Sequence, residues 1–354
     1  MSSKKSVSVR GVKIGGGAPV SIQSMTNADS NDEHALTAQI EELSRAGCEI
    51  IRIAVPDDDA ARTLAAVRRM TDMPLVADIH FDYRLALAAI KAGADKIRIN
   101  PGNIGSRARV REVVAAARAA GVPIRVGVNS GSLEKDILKK YGGVTAEGLC
   151  ESALRNLEII EDMGYDDLVV SLKSSDVVIN DKAYNLIAKE TEHPIHIGVT
   201  EAGTRKMGEV KSAAGIGSLL LSGIGDTMRV SLTGDPVREV VFARRLLEAV
   251  GQREPAYDII SCPTCGRTSI DLVALADKVD ARLADANLRH GIRIAVMGCV
   301  VNGPGEAANA DYGVAGGKGK GVIFAKGEVI RRVDEKDIVD ELFAIIEDRE
   351  GKAL

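Results

Sequence analysis

Tryptophan is absent from the 354 residues, and aromatics of any kind make up 3% of them, six Tyr and four Phe. Bases and sugars are gripped largely by stacking, so the chain has little from which to build such a platform. Basic residues are not in excess either. The 46 Lys and Arg stand against 50 Asp and Glu, a net charge of −4, which leaves no basic footprint for a nucleic acid. No apolar run is long enough to span a bilayer, and the polar start Met1-Ser2-Ser3-Lys4-Lys5 lacks the apolar core of an export signal. The expectation is a cytoplasmic protein with no membrane partner. In that reducing compartment the five cysteines read as metal ligands or free thiols, not disulfides.

What is present is an ordinary globular composition, 45% hydrophobic and 27% charged, in a length comfortable for two domains. Between about residues 20 and 250, short β-branched runs alternate with helical patterns. The expected strands are Val20–Ser24, Ile50–Ala54, Leu75–Ile79, Lys96–Asn100, Ile124–Val128, Leu168–Leu172, Ile195–Val199 and Ser218–Ser222. Helical spacing is clearest at Ala35–Ala46, Ala60–Met70, Arg107–Ala119 and Ala146–Met163. This succession predicts an α/β fold, a (β/α)8 TIM barrel over residues 1–254. A doubly wound open sheet is the alternative, but no G-x-G-x-x-G follows the first strand. Gly15-Gly16-Gly17 reads as a turn of a bottom cap.

The pattern breaks at Gly251-Gln252-Arg253-Glu254-Pro255. Residues 255–354 then read as a small α/β domain. It has a cysteine loop, a helix (Ser269–Leu288), a strand (Ile292–Met297) and a second cysteine loop. A Gly/Lys-rich turn (Gly313–Gly321), two strands (Gly321–Ala325 and Glu328–Val333) and a last helix (Lys336–Asp348) follow. The Gly/Lys-rich turn reads as a hairpin connection, since it lacks the residue order of a P-loop.

Within the barrel, Ile51-Arg52-Ile53, Ile97-Arg98-Ile99 and Ile124-Arg125-Val126 each place Arg between aliphatics. Strand side chains alternate, so if the aliphatics face the helices the Arg faces the interior. An unpaired charge there is costly, which implies anionic partners. Further polar residues stand at the strands' carboxyl ends: Asp78, His80, Asn100, Asn129, Ser171, Lys173, Thr200 and Glu201, with Arg229 and Ser231 after the eighth strand. Barrel active sites are built at that end. Arg52, Arg98, Arg125, Lys173 and Arg229 together suit a strongly anionic ligand such as a diphosphate. An internal salt-bridge network with Asp78 and Glu201 is the plainer alternative. His34, His193, His196 and His290 read as structural, and His196 is the one whose position suits the barrel interior.

Cys262 and Cys265 form a C-x2-C pair, and Cys299 stands apart in a second Gly/Pro turn. Cys48 and Cys150, in helical patterns, read as small buried residues. Three thiols leave a tetrahedral zinc site one ligand short, and His290 would complete it. An iron–sulfur cubane also needs a fourth ligand, and Glu306, in the turn after Cys299, is placed to supply it. A carboxylate is more exchangeable than a thiolate, which would leave one iron open to substrate.

Ser261-Cys-Pro-Thr-Cys-Gly-Arg267 and Met297-Gly-Cys-Val-Val-Asn-Gly-Pro-Gly-Glu306 resemble the cluster motifs of the 4-hydroxy-3-methylbut-2-enyl diphosphate synthase family, two-domain bacterial form. Gln23-Ser-Met-Thr-Asn27, Ala77-Asp-Ile-His-Phe81, Arg98-Ile-Asn-Pro-Gly-Asn103 and Val128-Asn-Ser-Gly-Ser132 resemble its barrel segments. The resemblance implies a [4Fe-4S] cluster on Cys262, Cys265, Cys299 and Glu306. It implies an oxidoreductase of the non-mevalonate isoprenoid pathway that opens and dehydrates 2-C-methyl-D-erythritol 2,4-cyclodiphosphate. Electrons would come from flavodoxin or ferredoxin. The diphosphate would rest on Arg52, Arg98, Arg125, Lys173 and Arg229. Asp78, Asn100, Asn129, Thr200, Ser231 and Asn302 would line the substrate, and Glu201, Glu306 and His80 are candidates for proton transfer. A head-to-tail homodimer is implied as well. The competing enzyme reading is a phosphate-binding aldolase or isomerase with Lys173 as Schiff-base nucleophile and a structural zinc module.

Overall fold

The structure is a computed structural model describing residues 3–268, 270–286, 291–299, 307, 309–317 and 319–350. Two compact units divide the chain, Met1–Arg253 and Glu254–Leu354.

The first unit opens with an antiparallel hairpin, β1 (Ser6–Val9) and β2 (Val12–Gly15). Val7, Val9 and Ile14 of this hairpin pack on Ile50, Val76 and Val169, near the amino ends of three barrel strands. The hairpin is thus an apolar plug for the barrel bottom, and the Gly15-Gly16-Gly17 run ends it at positive φ. Eight parallel strands follow. They are β3 (Ser21–Met25), β4 (Ile50–Ala54), β5 (Leu75–Asp78), β6 (Lys96–Ile99), β7 (Ile124–Asn129), β8 (Leu168–Lys173), β9 (His196–Ile197) and β10 (Thr227–Met228). Seven neighbour pairings run β8-β7-β6-β5-β4-β3-β10-β9, and a bridge between Val170 and Ile195 brings β8 to β9 and closes the ring.

Alternation explains why these runs are strands. Ile51, Ile53, Ile97, Ile99, Ile124 and Val126 are fully buried in one core with the surrounding helices, so Arg52, Arg98 and Arg125 turn inward. Several helices begin at aspartates whose carboxylates accept from the first free N–H groups: Asp57 from Ala60, Asp82 from Arg84 and Asp235 from Val237. Cys48 and Cys150 are buried, and burial pushes their thiols up to about 12 and about 11, so both are inert packing groups.

The expected eighth strand, Ser218–Ser222, is instead the end of the helix Arg205–Leu221, and the true one is the two-residue β10. Gly208, Gly215 and Gly217 weaken the helical signal of this segment. Gly208 and Gly215 are there for packing: a Cβ on either would lie 2.7 Å from Leu232 or 2.8 Å from Val199. A short apolar run such as Ser218–Ser222 is equally readable as strand or helix end.

At the base of the barrel, His193 Nε2 lies 2.8 Å from Glu161 and Lys5 Nζ lies 2.6 Å from Asp166. Glu161, Asp166 and His193 form the one group of potential metal ligands within 4.8 Å of one another among the described residues. With Lys5 already on Asp166, it is an ion-pair knot that ties the N-terminal arm to the barrel, in line with a structural His193.

The second unit is one five-stranded sheet in the order β11 (Tyr257–Ser261), β12 (Ile292–Met297), β13 (Tyr312–Gly317), β14 (Lys320–Ala325) and β15 (Glu328–Asp334). The first three strands are parallel and the last three antiparallel. Helices Leu272–Asp285 and Ile338–Glu350 cover one face, burying Leu275, Val279, Leu342 and Ile346 against Ile294, Val296 and Val314. Sequence reading missed β11, and the Gly/Lys-rich turn expected at Gly313–Gly321 is mostly strand β13. Of the connection between β13 and β14, the described residue is Gly319, at φ +75°. Glycine fills β13 because neighbours lie across it: a Cβ at Gly313 would stand 2.3 Å from Phe324, and one at Gly316 would stand 2.1 Å from Ile270. Gly316→Ala is expected to destabilise this unit by about 1–3 kcal/mol through overpacking, while Gly131→Ala, facing open space, is expected to be near neutral. Equal urea midpoints for the two variants would contradict this packing account.

Candidate active site

Arg52, Asp78, His80, Arg98, Arg125, Asn129, Ser171, Lys173, Thr200, Arg229 and Ser231 line one pocket of about 90 Å³ at the carboxyl ends of the strands. Strand register brings them together. Asp78, Arg98 and Arg125 are direct neighbours across β5, β6 and β7, and Asn129 is opposite Lys173 across β7 and β8. Arg98 and Lys173 are each 7% exposed and Arg125 is 1% exposed, so these charges have been taken out of water.

Two carboxylates face the five cations. Asp78 lies 3.4 Å from Arg98 Nη1, 3.2 Å from His80 Nε2 and 3.9 Å from Arg52 Nε. Burial pushes its carboxyl up, but the Arg52 charge, the His80 hydrogen bond and the Arg98 and Arg125 charges outweigh that and hold it far below the usual carboxylate range. Glu239 lies 3.4 Å from Arg229 Nε and also accepts from Ser24 Oγ and the Leu232 N–H. Arg52 otherwise points at a weak acceptor, the Met25 sulfur, 2.8 Å from its Nη2. Arg125 Nε and Nη1 have no hydrogen-bond partner among the described residues. Burial, and then the charges of Arg125, Arg229, Arg52 and Arg98, press the Lys173 amine well below its ordinary value. A buried set of donors with too few acceptors is complementary to a polyanion.

Two glycines keep the space these cations need. A Cβ at Gly127 would meet Arg98 Nε at 2.5 Å, and one at Gly198 would meet Lys173 Nζ at 2.5 Å. Both positions face inward by alternation, and side chains there would push the cations aside.

Two further sequence candidates are not part of this pocket. Asn100 caps the short helix Pro101–Ile104, its Oδ1 accepting from the Gly102 N–H at 3.0 Å. Glu201 is exposed just beyond Thr200, at φ +50°. Asn302, Glu306 and His290 lie outside the described residues. Met25, Glu239, Gln23 and Lys96 escaped the sequence reading and His196 was read as structural; all five lie beside or beneath the pocket and not in its lining. Period two would have found three of them: Gln23 precedes Met25 by two residues, Lys96 precedes Arg98 by two, and His196 precedes Gly198 by two.

The described cysteines of the second unit sit where parallel strands end together. Ser261 is paired with Val296, so Cys262 leaves β11 beside the end of β12, and Cys299 follows two residues past that end. The Gly298 N–H donates to Cys262 Sγ at 3.2 Å. At Cys265, hydrogen bonds from the Arg267 backbone and guanidinium lower the thiol's pKa. N–H donors aimed at sulfur favour thiolate, the form that binds metal, so the donor set fits a thiolate-held centre.

The chain matches the model of the GcpE TIM-barrel domain over residues 4–244 and that of the GcpE protein C-terminal domain over residues 258–348. It is 55% identical to the 4-hydroxy-3-methylbut-2-en-1-yl diphosphate synthase (flavodoxin) of Clostridium acetobutylicum, over 97% of this chain and 98% of that one. It is 53% identical to the enzyme of the same name from Geobacter sulfurreducens, over 97% of each chain. Among solved structures, 3-dehydroquinate dehydratase from Geobacillus kaustophilus is similar at a TM-score of 0.50 and 17% identity, covering 70% of this chain and 99% of that one. That likeness concerns the barrel fold alone.

Replacing Asp78 by Asn removes a carboxylate that holds two guanidinium groups and an imidazole and is expected to cost about 3 kcal/mol at pH 7. The Asp78 carboxyl is depressed in the fold, so its contribution is full above the unfolded carboxylate value, about 4, and is lost as pH falls below it. The stability gap between wild type and Asp78→Asn, followed by urea unfolding, should therefore close as the solution is acidified. A gap that widens with acid would contradict the assignment.

Proposed function

The chain belongs to the 4-hydroxy-3-methylbut-2-en-1-yl diphosphate synthase (flavodoxin) family, and we propose that it performs the reaction of that name. It is an oxidoreductase of isoprenoid biosynthesis. The reaction is the two-electron opening and dehydration of 2-C-methyl-D-erythritol 2,4-cyclodiphosphate to (E)-4-hydroxy-3-methylbut-2-enyl diphosphate. The observation that carries the reading is the barrel mouth, where Arg52, Arg98, Arg125, Lys173 and Arg229 meet two carboxylates.

In this reading the guanidinium forks and Lys173 grip the diphosphate and offset the charge that grows on its bridging oxygen as the ring opens. Asp78 fixes the directions of Arg52 and Arg98. Asn129, Thr200 and Ser231 supply neutral hydrogen bonds along the rim, and Asn100 and Asn302 remain proposed substrate contacts. His80, whose Nε2 is 3.2 Å from Asp78 and whose side chain is 57% exposed, is placed to move a proton between solvent and the mouth. Glu201 and Glu306 are the other proposed proton carriers. Cys262, Cys265, Cys299 and Glu306 are the proposed holders of a [4Fe-4S] cluster. When bound, such a cluster supplies electrons one at a time and a Lewis-acidic iron. Flavodoxin is the proposed electron donor, with ferredoxin as the alternative. The cytoplasm is the proposed location; no described helix is long and apolar enough to cross a membrane. The head-to-tail homodimer is proposed on the family resemblance alone. Family membership sets aside the aldolase reading of Lys173.

Two experiments test this function. Anaerobically purified protein should be brown, with a broad band at about 400 nm and about four irons per chain. Glu306→Ala should keep the colour and lose most turnover, and a colourless zinc protein would overturn the cluster assignment. In steady-state kinetics, Arg125→Met should raise KM for the cyclodiphosphate about 10- to 100-fold, the loss of a charge-assisted hydrogen-bond pair. An unchanged KM would remove Arg125 from the anion grip.

A further inference from the structure

Below the mouth, the barrel interior departs from the aliphatic filling that such barrels usually have. Ser21, Gln23, Lys96, Arg125, His196 and Thr227 are each at most 2% exposed. Every one of them has a side-chain polar atom with no hydrogen-bond partner among the described residues, including Lys96 Nζ and His196 Nδ1. Lys96 is two residues before Arg98 on β6, one layer deeper on the same inward face.

The charges that bear most on Lys96, His196 and Lys173 are of one sign. Arg52 from β4 and Arg125 from β7 bear on Lys96. Arg125, Lys173 from β8, Lys96 and Arg52 bear on His196. Arg125, Arg229 from beyond β10, Arg52 and Arg98 bear on Lys173. The carboxylates nearby are engaged elsewhere. Asp78 holds Arg98 and His80, and Glu239, on the helix Pro236–Ala249, holds Arg229. Asp226, at the foot of β10, accepts from the Ile195 N–H. Tyr184 donates its hydroxyl to the His196 carbonyl, and burial keeps it neutral.

Guanidinium groups keep their protons at neutral pH. The groups able to relieve the crowding are therefore Lys96, Lys173 and His196, and burial presses all three below their ordinary values. Lys173 lines the mouth, and its Nζ is 3.4 Å from His196 Nε2. Protons thus have a short relay inward from the pocket.

We propose that Lys96, Lys173 and His196 form a proton-loading tier, which takes protons from solvent when an anion occupies the mouth and releases them when it leaves. The inference rests on the anion reading of the mouth. The tier lets the empty barrel shed like charge that it has too few carboxylates to balance, and it restores that charge where a polyanion can neutralise it. The only bonds that change are those to the proton: an N–H bond forms on the tier as water or the buffer acid gives up its hydrogen.

The test is calorimetric titration of the anaerobic full-length protein with sulfate, which neither gains nor loses a proton near neutrality. Titrations at pH 7.5 and fixed ionic strength in HEPES and in Tris yield the protons exchanged from the dependence of the heat on buffer ionisation enthalpy. Uptake of about one proton per sulfate is expected, and with it a sulfate Kd that rises up to about tenfold per pH unit above neutrality. A Lys96→Met/His196→Gln variant should still bind sulfate but lose most of the uptake. Sulfate binding with no proton exchange in the wild type would overturn the tier, as would full uptake in the double variant. If the double variant does not fold, the wild-type heats and pH series decide alone. Absence of any sulfate binding would instead overturn the anion reading, and the tier with it.

Discussion

Five cationic side chains converge on the barrel mouth, and Asp78 and Glu239 are the carboxylates that answer them. Removing such charges from water is costly unless they are paired. Much of the first unit is arranged around that cost. Asp78 is shared among Arg52, Arg98 and His80, Gly127 and Gly198 give up their side chains to make room, and the Met25 sulfur stands in where no oxygen is available. The stability that allows this comes from elsewhere. The aliphatic partners of each Arg are fully buried under the helix layer, and the β1–β2 hairpin seals the bottom with Val7, Val9 and Ile14. The site is a strained charge pattern held by an ordinary apolar shell.

The second unit solves a different problem with parallel strands. Because β11 and β12 run side by side in the same direction, their carboxyl ends lie together, and both cysteine loops start there. The sheet behind them is packed on both faces, with Phe324 and Met297 on one side and the helices on the other. Glycines in β13 let that packing close. The Gly298 N–H donates to Cys262 Sγ, and the Arg267 groups favour thiolate at Cys265. A redox centre and an anion grip are the two things a reductive ring opening of a cyclic diphosphate requires, and in the proposed function each unit would supply one.

Most of this was legible in the sequence. The Ile-Arg-Ile and Ile-Arg-Val triplets announced inward charges because strand periodicity leaves no other face for them, and all eleven residues that line the pocket, these three arginines and eight at or beyond strand ends, were singled out. Asn100 lies outside the lining of that pocket and caps a helix, a role that a polar residue at a strand end fills equally well. The eighth strand was misplaced because two residues carry no period, while the glycines in the preceding helix imitate a strand boundary. Strand β13 was hidden because its glycines mark the close approach of Phe324 and Ile270, which only the tertiary structure reveals. Lys96 and His196 follow the same alternation as the arginines, and that period was the signal that could have found them. Glu239, far along the chain on a helix, had no local signal at all.

The central claim is that the barrel mouth is a polyanion receptor. A crystal structure of the protein grown with inorganic pyrophosphate tests it most directly. The account predicts both phosphoryl groups in the mouth, within hydrogen-bonding distance of Arg98, Arg125, Lys173 and Arg229. Pyrophosphate bound elsewhere, with the mouth cations satisfied by water or protein carboxylates, would contradict it.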